Sequence, residues 1–375
     1  MRILITGGGT AGHINPALAI ANTIRKAYPD AEILFVGAEG KMETELVPKA
    51  GYPIKTVKVQ GFSRSLSPKG LLYNVKTVAI TLAASRTSTD ILKEFKPDIA
   101  IGTGGYVCGP ILRKAIKMHI PVLVHESNAF PGVTVKMLAK EGATILLCSE
   151  DARRHLPKNC RVIVTGNPLR EEFTTPCSPE AKAAARAELG LDERPLVLSF
   201  GGSLGALRIN EAMAGVLENS RRDGKLQHIH GVGKAGWDTT RALLKEKGVP
   251  LSANGISVRE YIDDMPRCMA AADLIISRCG AMTLSEIPAA GKPAILIPSP
   301  YVAENHQYHN AMALVKKGAA LCIEEKDLTA KSLWAAICEI TADPARMQQM
   351  ADNAAALAIR DADARILAVI QETLQ

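Results

Sequence analysis

The chain has 375 residues, 47% of them hydrophobic and 22% charged, with a net charge of +7. That length exceeds one ordinary hydrophobic core and predicts two domains, while no stretch reaches the about 20 apolar residues that a membrane-spanning helix needs. Eight scattered cysteines without a CxxC pair predict reduced thiols rather than a zinc site, and 4% aromatics without a nucleic-acid motif predict no nucleic-acid partner.

The N-terminus, Met1-Arg2-Ile3-Leu4-Ile5-Thr6, runs straight into glycines and has no leader-like apolar core, so no secretory signal is expected. Residues 2–6 read as a short strand and 16–26 as a helix with apolar residues at helical spacing; strands follow at 32–36, 98–101, 122–125 and 144–148. Helical segments between them predict a parallel sheet with crossover helices. The pattern then restarts: strand 196–200, a glycine turn and helix 207–217, followed by strands at 227–231, 256–259, 274–277, 294–298 and 320–323. Two similar doubly wound α/β halves account for this economically, with a linker at Gly166–Pro168 and a helical tail after Asp343. Charge is unevenly divided. Residues 1–165 hold 22 Lys/Arg and 12 Asp/Glu, a net of +10, whereas 166–375 carry a net of −3. A basic half points to an anionic partner.

Three glycine loops end predicted strands: Gly7–Gly12, Gly102–Tyr106 and Gly201–Gly205. Open α/β sheets bind ligands at such carboxyl ends. The first formally matches GxGxxG, so a nicotinamide oxidoreductase is an alternative. The dinucleotide pattern also wants an acid at the end of the second strand, about 20 residues on. The nearest, Glu39, lies 27 residues past Gly12. A tight turn without a ligand is the plainer account, disfavoured here because His13 and Asn15 follow at once.

The most informative segment is Ser277–Gly291: a strand end, a glycine turn, then a helix starting near Thr283. Free N–H groups and the positive helix end suit a diphosphate. Glu286, one turn in, is placed to accept from vicinal ribose hydroxyls; its structural alternative is a favourable helix-start charge. Pro288 fits only near the first turn.

Taken in order, Gly7–His13 with Asn15-Pro16, Gly102–Tyr106, His125–Asn128, Gly166–Arg170, Gly201–Ala206, Ser277–Gly291 and Gln307–Ala311 resemble the glycosyltransferase family 28 enzymes that add N-acetylglucosamine to undecaprenyl-diphospho-muramoylpentapeptide. The resemblance spans essentially the whole chain. It implies a GT-B architecture: two Rossmann-like, doubly wound parallel-sheet domains facing a cleft. The acceptor domain would be 1–166 plus about 358–375, the UDP-sugar domain 167–357. By the family pattern, Arg170, Ser203, Ile262, Arg278, Ala281, Met282, Thr283, Glu286 and Gln307 are implied donor contacts, with Thr10, Ala11, Gly12 and Asn128 joining from the first half. Gly9, Gly104, Gly105, Tyr106 and His125 are the implied acceptor contacts. His306 stands where the pattern leads one to expect glutamine.

The implied reaction inverts the anomeric centre. It needs a base for the acceptor hydroxyl and stabilisation of the departing diphosphate. His13 is the candidate base, with orienting the acceptor diphosphate as its competing role; Glu126 is the rival base, with holding the loop 127–132 as its structural alternative. No convincing DxD exists, since Asp361-Ala362-Asp363 sits in the tail helix, so neither a required metal nor another cofactor is expected. Phe62–Ser85 interleaves apolar residues with Arg64, Lys69 and Lys76, joined by Arg86, Arg113, Lys114, Lys117, Lys136 and Lys140. That pattern predicts peripheral binding to an anionic membrane surface, on its cytoplasmic face; a core helix with solvated lysines is the alternative. Competing functions are another UDP-sugar enzyme of this fold, such as a glycolipid synthase or a UDP-N-acetylglucosamine epimerase, and a non-catalytic nucleotide-sugar binder.

Overall fold

The computed structural model describes residues 1–60, 67–202, 204–253 and 255–375, with backbone alone for 68–79, 81 and 82. Phe62, Arg64, Leu66 and Ser203 therefore lie outside the described residues, as do the side chains of Lys69, Leu71, Leu72, Val75, Lys76, Val78 and Leu82.

The chain alternates β1 (Arg2–Thr6), α1 (Ala11–Ala27), β2 (Glu32–Ala38), α2 (Glu43–Lys49), β3 (Ile54–Val57), α3 (Pro68–Phe95), β4 (Ile99–Gly102), α4 (Cys108–Lys117), β5 (Val122–Glu126), α5 (Val133–Lys140), β6 (Thr144–Leu147) and β7 (Val162–Val164). It continues through α6 (Pro179–Glu188), β8 (Leu196–Phe200), α7 (Leu207–Asp223), β9 (Gln227–Gly231), α8 (Trp237–Glu246), β10 (Ser252–Ala253), β11 (Ile256–Arg259), α9 (Met265–Ala271), β12 (Leu274–Ser277), α10 (Thr283–Ala290), β13 (Ala294–Leu296), α11 (His306–Val315) and β14 (Ala320–Cys322). Three helices close it: α12 (Ala330–Thr341), α13 (Pro344–Ala356) and α14 (Ala362–Leu374).

Two compact units result, Met1–Pro168 with Asp361–Gln375, and Leu169–Arg360. In the first, seven parallel strands run in the order β3-β2-β1-β4-β5-β6-β7. The second has the order β10-β11-β9-β8-β12-β13-β14, parallel except for β10 against β11. Central strands such as Ile3-Leu4-Ile5 and Leu196-Val197-Leu198 are apolar on both faces because helices cover both. Strand order reverses beside β1 in one sheet and beside β8 in the other. The crevice at each reversal lies between two glycine loops, those after β1 and β4, and those after β8 and β12.

One face of the first sheet packs on Ala84, Leu92, Ile111, Leu112 and Leu138. The other packs on Ala17, Ile20 and Ile24 of α1 and on Ile366, Val369 and Ile370 of α14. The last helix is thus part of the first unit's core, each buried aliphatic contributing about 1.5–3 kcal/mol.

Several elements differ from the sequence expectation. Helix α1 begins at Ala11, not Pro16, so Gly12 and His13 sit in its first turn. Pro16 lies inside the helix, and its missing N–H falls opposite the carbonyl of Gly12. Strands β3, β7 and β10 lie at the sheet edges and are only four, three and two residues long, too short to announce themselves. Helix α7 runs on to Asp223 and stops at Gly224 in the left-handed conformation (φ 69°). Helix α10 starts at Thr283 as read, with Pro288 inside its second turn.

Candidate active site

In the first unit the glycine turn after β1 and the one after β4 interlock. The amide of Gly8 donates to the carbonyl of Gly104 at 3.4 Å. A Cβ on Gly105 would lie 2.3 Å from the Gly8 carbonyl oxygen, and one on Gly104 would lie 2.6 Å from His13 Nδ1. Both glycines have positive φ, 106° at Gly104 and 89° at Gly105. They are required here by close approach and by conformation at once.

His13 is held twice by Thr103. Its Nδ1 lies 3.0 Å from the Thr103 carbonyl oxygen, and Thr103 Oγ1 donates to the His13 carbonyl at 2.7 Å. A carbonyl only accepts, so Nδ1 carries the proton and the lone pair of the neutral ring sits at Nε2. That is the tautomer a general base needs. Thr10 is the extended residue preceding α1, Ala11 and Gly12 open the helix, and Tyr106 is 70% exposed beside the second glycine turn. The Gly9 amide is engaged by the protein itself, donating to Glu43 Oε2 at 3.0 Å.

Glu126 ends β5 and is buried. Its Oε1 accepts from the Asn128 backbone and side-chain amides at 2.9 and 3.0 Å, and its Oε2 accepts from the Gly132 amide at 2.9 Å. Burial raises its pKa, opposed by those hydrogen bonds. Both oxygens hold the loop after β5, the geometry of the structural role, and the Asn128 side-chain amide is drawn into the same loop. His125 is fully buried, 3.0 Å through Nε2 from the Gly166 carbonyl and 3.3 Å through Nδ1 from Ser127 Oγ. Burial pushes its pKa down to about 4. It fastens β5 to the segment leaving β7 and presents no surface to an acceptor.

In the second unit, Leu284 N bonds back to Gly280 O, and Ala281, Met282 and Thr283 form the start of α10. The first amides of a helix lack intrahelical partners and favour an anion. Glu286, one turn in and buried, pairs with Arg170 Nε at 3.0 Å. Burial raises its pKa while Arg170 lowers it. Arg278 is turned into the protein: it donates to the carbonyls of Ile297 and Pro298 at 3.3 and 3.2 Å and pairs with Glu325. Its guanidinium ties the turn after β12 to the one after β13 rather than presenting itself to a phosphate.

Gln307 ties the same two turns. Its Oε1 accepts from Cys279 N at 3.3 Å and from Ser299 N at 2.9 Å. The side-chain oxygen is thus occupied, and what Gln307 has to offer a sugar hydroxyl is its Nε2 donors. Asn310, one helical turn on, donates to the Cys279 carbonyl at 3.2 Å. Ile262 is buried, its Cδ1 2.9 Å from where a Cβ on Gly231 would lie. Just before α11, Glu304 and Asn305 both adopt left-handed backbone (φ 53° and 50°), strain of the kind that gathers at functional sites.

Glu43, Thr103, Asn310 and Glu325 are supporting residues that sequence reasoning missed as site members. Glu43 lies four residues before Val47 on one face of α2, and both are buried. The two acids at 361 and 363 face different partners. Asp361 pairs with Arg365 at 2.9 Å, and Asp363 bonds Thr23.

Two family models match, the glycosyltransferase family 28 N-terminal domain over residues 3–146 and the C-terminal domain over 196–366. The chain belongs to glycosyltransferase family 28. A UDP-N-acetylglucosamine–N-acetylmuramyl-(pentapeptide) pyrophosphoryl-undecaprenol N-acetylglucosamine transferase of Acetivibrio thermocellus is 44% identical, covering 100% of this chain and 99% of that one. The transferase of the same name from Caldanaerobacter subterraneus is 43% identical over 99% of each chain. Among solved structures, the MurG of Acinetobacter baumannii superposes with a TM-score of 0.80 at 28% identity, covering 99% of each chain. A UDP-GlcNAc 2-epimerase from Neisseria meningitidis, at TM-score 0.65 and 14% identity, shares the fold alone. The fold class expected from sequence, GT-B with two Rossmann-like halves, is the fold of these family 28 and related glycosyltransferases. Family membership sets aside the nicotinamide reading. Glu39 is exposed beyond the end of β2.

Proposed function

We propose that this family 28 enzyme transfers N-acetylglucosamine from UDP-N-acetylglucosamine to the C4 hydroxyl of the muramoyl sugar in undecaprenyl-diphospho-muramoylpentapeptide, with inversion. The observation that carries the reading is identity of 44% along the full length of a transferase named for that reaction. The acceptor oxygen attacks the anomeric carbon, the bond from that carbon to the diphosphate breaks, and the electron pair leaves with UDP. His13 Nε2 takes the hydroxyl proton while Nδ1 stays bonded to Thr103, a step contributing about 10²–10⁴-fold. The start of α10 stabilises the departing diphosphate. Glu286 accepts from the ribose hydroxyls, and Gln307 donates to the sugar.

The enzyme works peripherally at the cytoplasmic membrane face. None of the described helices is long and apolar enough to cross a membrane. Support for a docking face comes from α4, where Arg113, Lys114 and Lys117 line a 250 Å³ hollow with Val59, Tyr106, Pro110 and Met137. Lys114 and Lys117 there would meet anionic headgroups, each contributing about 1 kcal/mol, while Arg113 is paired with Glu141. The test is transfer of labelled N-acetylglucosamine from the UDP-sugar to the lipid-linked muramoyl-peptide. Release of free sugar or of an epimer, without glycolipid product, would overturn the reading.

A further inference from the structure

Glu43 opens α2, yet its carboxylate turns inward and is fully buried. Oε2 accepts from Gly9 N at 3.0 Å and Oε1 from Ala38 N at 2.9 Å. The side chain is wedged between glycines. A Cβ on Gly8 would lie 2.0 Å from its Oε1, and one on Gly37 would lie 2.6 Å from its Cγ. Gly8 in turn contacts Gly104 and Gly105, and Gly104 closes on the His13 ring. A continuous set of backbone contacts therefore runs from the Glu43 carboxylate to the His13 imidazole. None of its members has a side chain that could absorb a displacement.

Burying a carboxylate is costly unless strong donors meet it. Two backbone amides do so, with charge-assisted bonds that fix the loop more firmly than a neutral acceptor would. We propose that Glu43 is a positioning residue for the transfer: it sets the Gly7–Gly9 turn and, through Gly104, the place of the His13 ring. The inference rests on His13 being the base. It also assigns the Gly9 amide to the protein scaffold rather than to a substrate anion.

The test is a double-mutant cycle between Glu43→Gln and His13→Gln, read as kcat at saturating donor and acceptor well below the melting temperature. Glutamine keeps the shape, but its NH2 must face one of the two amides, so one bond is lost. Glu43→Gln alone is expected to lower kcat at least ten-fold, with the KM for UDP-N-acetylglucosamine unchanged. In the His13→Gln background the same change is expected to have no further effect, because the ring it positions is gone. An equal loss in both backgrounds would overturn the proposal while leaving His13 as the base. Full activity of His13→Gln alone would instead remove the reading on which the proposal stands. Should Glu43→Gln fail to fold, Glu43→Asp serves in the same cycle. Paired with Gly8→Ala it adds a rescue, because the shorter acid vacates the space the new methyl needs, and kcat of the pair should exceed that of Gly8→Ala. No recovery there, with wild-type kcat for Glu43→Asp, overturns the proposal.

Discussion

His13 and Thr103 bond each other reciprocally, ring Nδ1 to carbonyl at 3.0 Å and hydroxyl to carbonyl at 2.7 Å. The pair joins the first turn of α1 to the turn after β4, across the crevice where strand order reverses. It also settles the tautomer, so the ring nitrogen holding the lone pair is Nε2.

The first prediction concerns proton transfer. His13→Ala should lower kcat by about two to four orders of magnitude while UDP affinity, measured by calorimetry, stays at the wild-type value. Wild-type rate should fall as pH drops and the imidazole protonates. In His13→Gln that acidic limb should vanish. A limb that persists unchanged would show another group titrating, and Glu126 would be the next to examine.

The second concerns Gly104. Alanine there meets a φ of 106° and places a methyl 2.6 Å from His13 Nδ1. Backbone strain and displacement of the ring act together. Gly104→Ala is expected to reproduce most of the kcat loss of His13→Ala, with donor KM unaffected. A well-folded variant of normal activity would show that the ring position is not limiting.

The architecture and the glycine turns that end its strands were legible because they depend on local signals. Apolar runs ending in Gly7–Gly9, Gly102–Gly105 and Gly280 mark strands that end in ligand-facing turns, and helix α10 announces itself from Thr283 onward. What stayed hidden depends on contacts distant in sequence. Arg278 stands as an implied donor contact until Glu325, 47 residues away, is seen to turn it inward. Gln307 reads as a sugar ligand through either end of its amide until Cys279 and Ser299 are seen to take the oxygen. Nothing in the sequence singles out Glu43, because its partner amide, at Gly9, is 34 residues back. A spacing rule cannot see such pairs.

The third prediction concerns the donor. Burial raises the pKa of Glu286 and Arg170 holds it down. Arg170→Ala should let it rise further, so the carboxylate proposed to bind the ribose is lost at a higher pH. UDP affinity should then weaken between neutral and mildly acidic pH in the variant more than in the wild type. Glu286→Ala should lose about 1.5–3 kcal/mol of donor binding and show no such pH dependence. Parallel pH profiles for wild type and Arg170→Ala would remove Glu286 from the ribose.

The fourth concerns the C-terminal helix. Ile370 is fully buried against the first unit's sheet. Ile370→Ala should cost about 2–5 kcal/mol of that unit's stability through lost burial and the cavity left behind. Urea denaturation should show the loss, while UDP binding, a property of the second unit in this reading, should persist at denaturant concentrations where transfer has already stopped. Coincident loss of both would mean that the two units unfold as one.

The fifth concerns acid stability. Burial pushes His125 and His230 down to about 4 and His228 to about 3. In the unfolded chain these rings take protons near the ordinary histidine value of about 6.5. Between about pH 6.5 and 4 the unfolded state therefore binds more protons, and stability falls as pH falls, by up to about 1.4 kcal/mol per pH unit for each histidine. Carboxylates held low, such as Asp273, lose their contribution only at lower pH, below their unfolded value. Glu126, Glu286 and Asp363, held high, act in the opposite sense and soften the slope. A variant comparison isolates the histidine contribution. His228 bonds Ser220 Oγ at 2.8 Å, so His228→Gln keeps a polar partner for that hydroxyl while removing the titration. Unfolding midpoints in urea, taken at pH 7 and pH 5, should drop less in the variant than in the wild type. An equal drop in both would show that His228 does not lose its proton on folding.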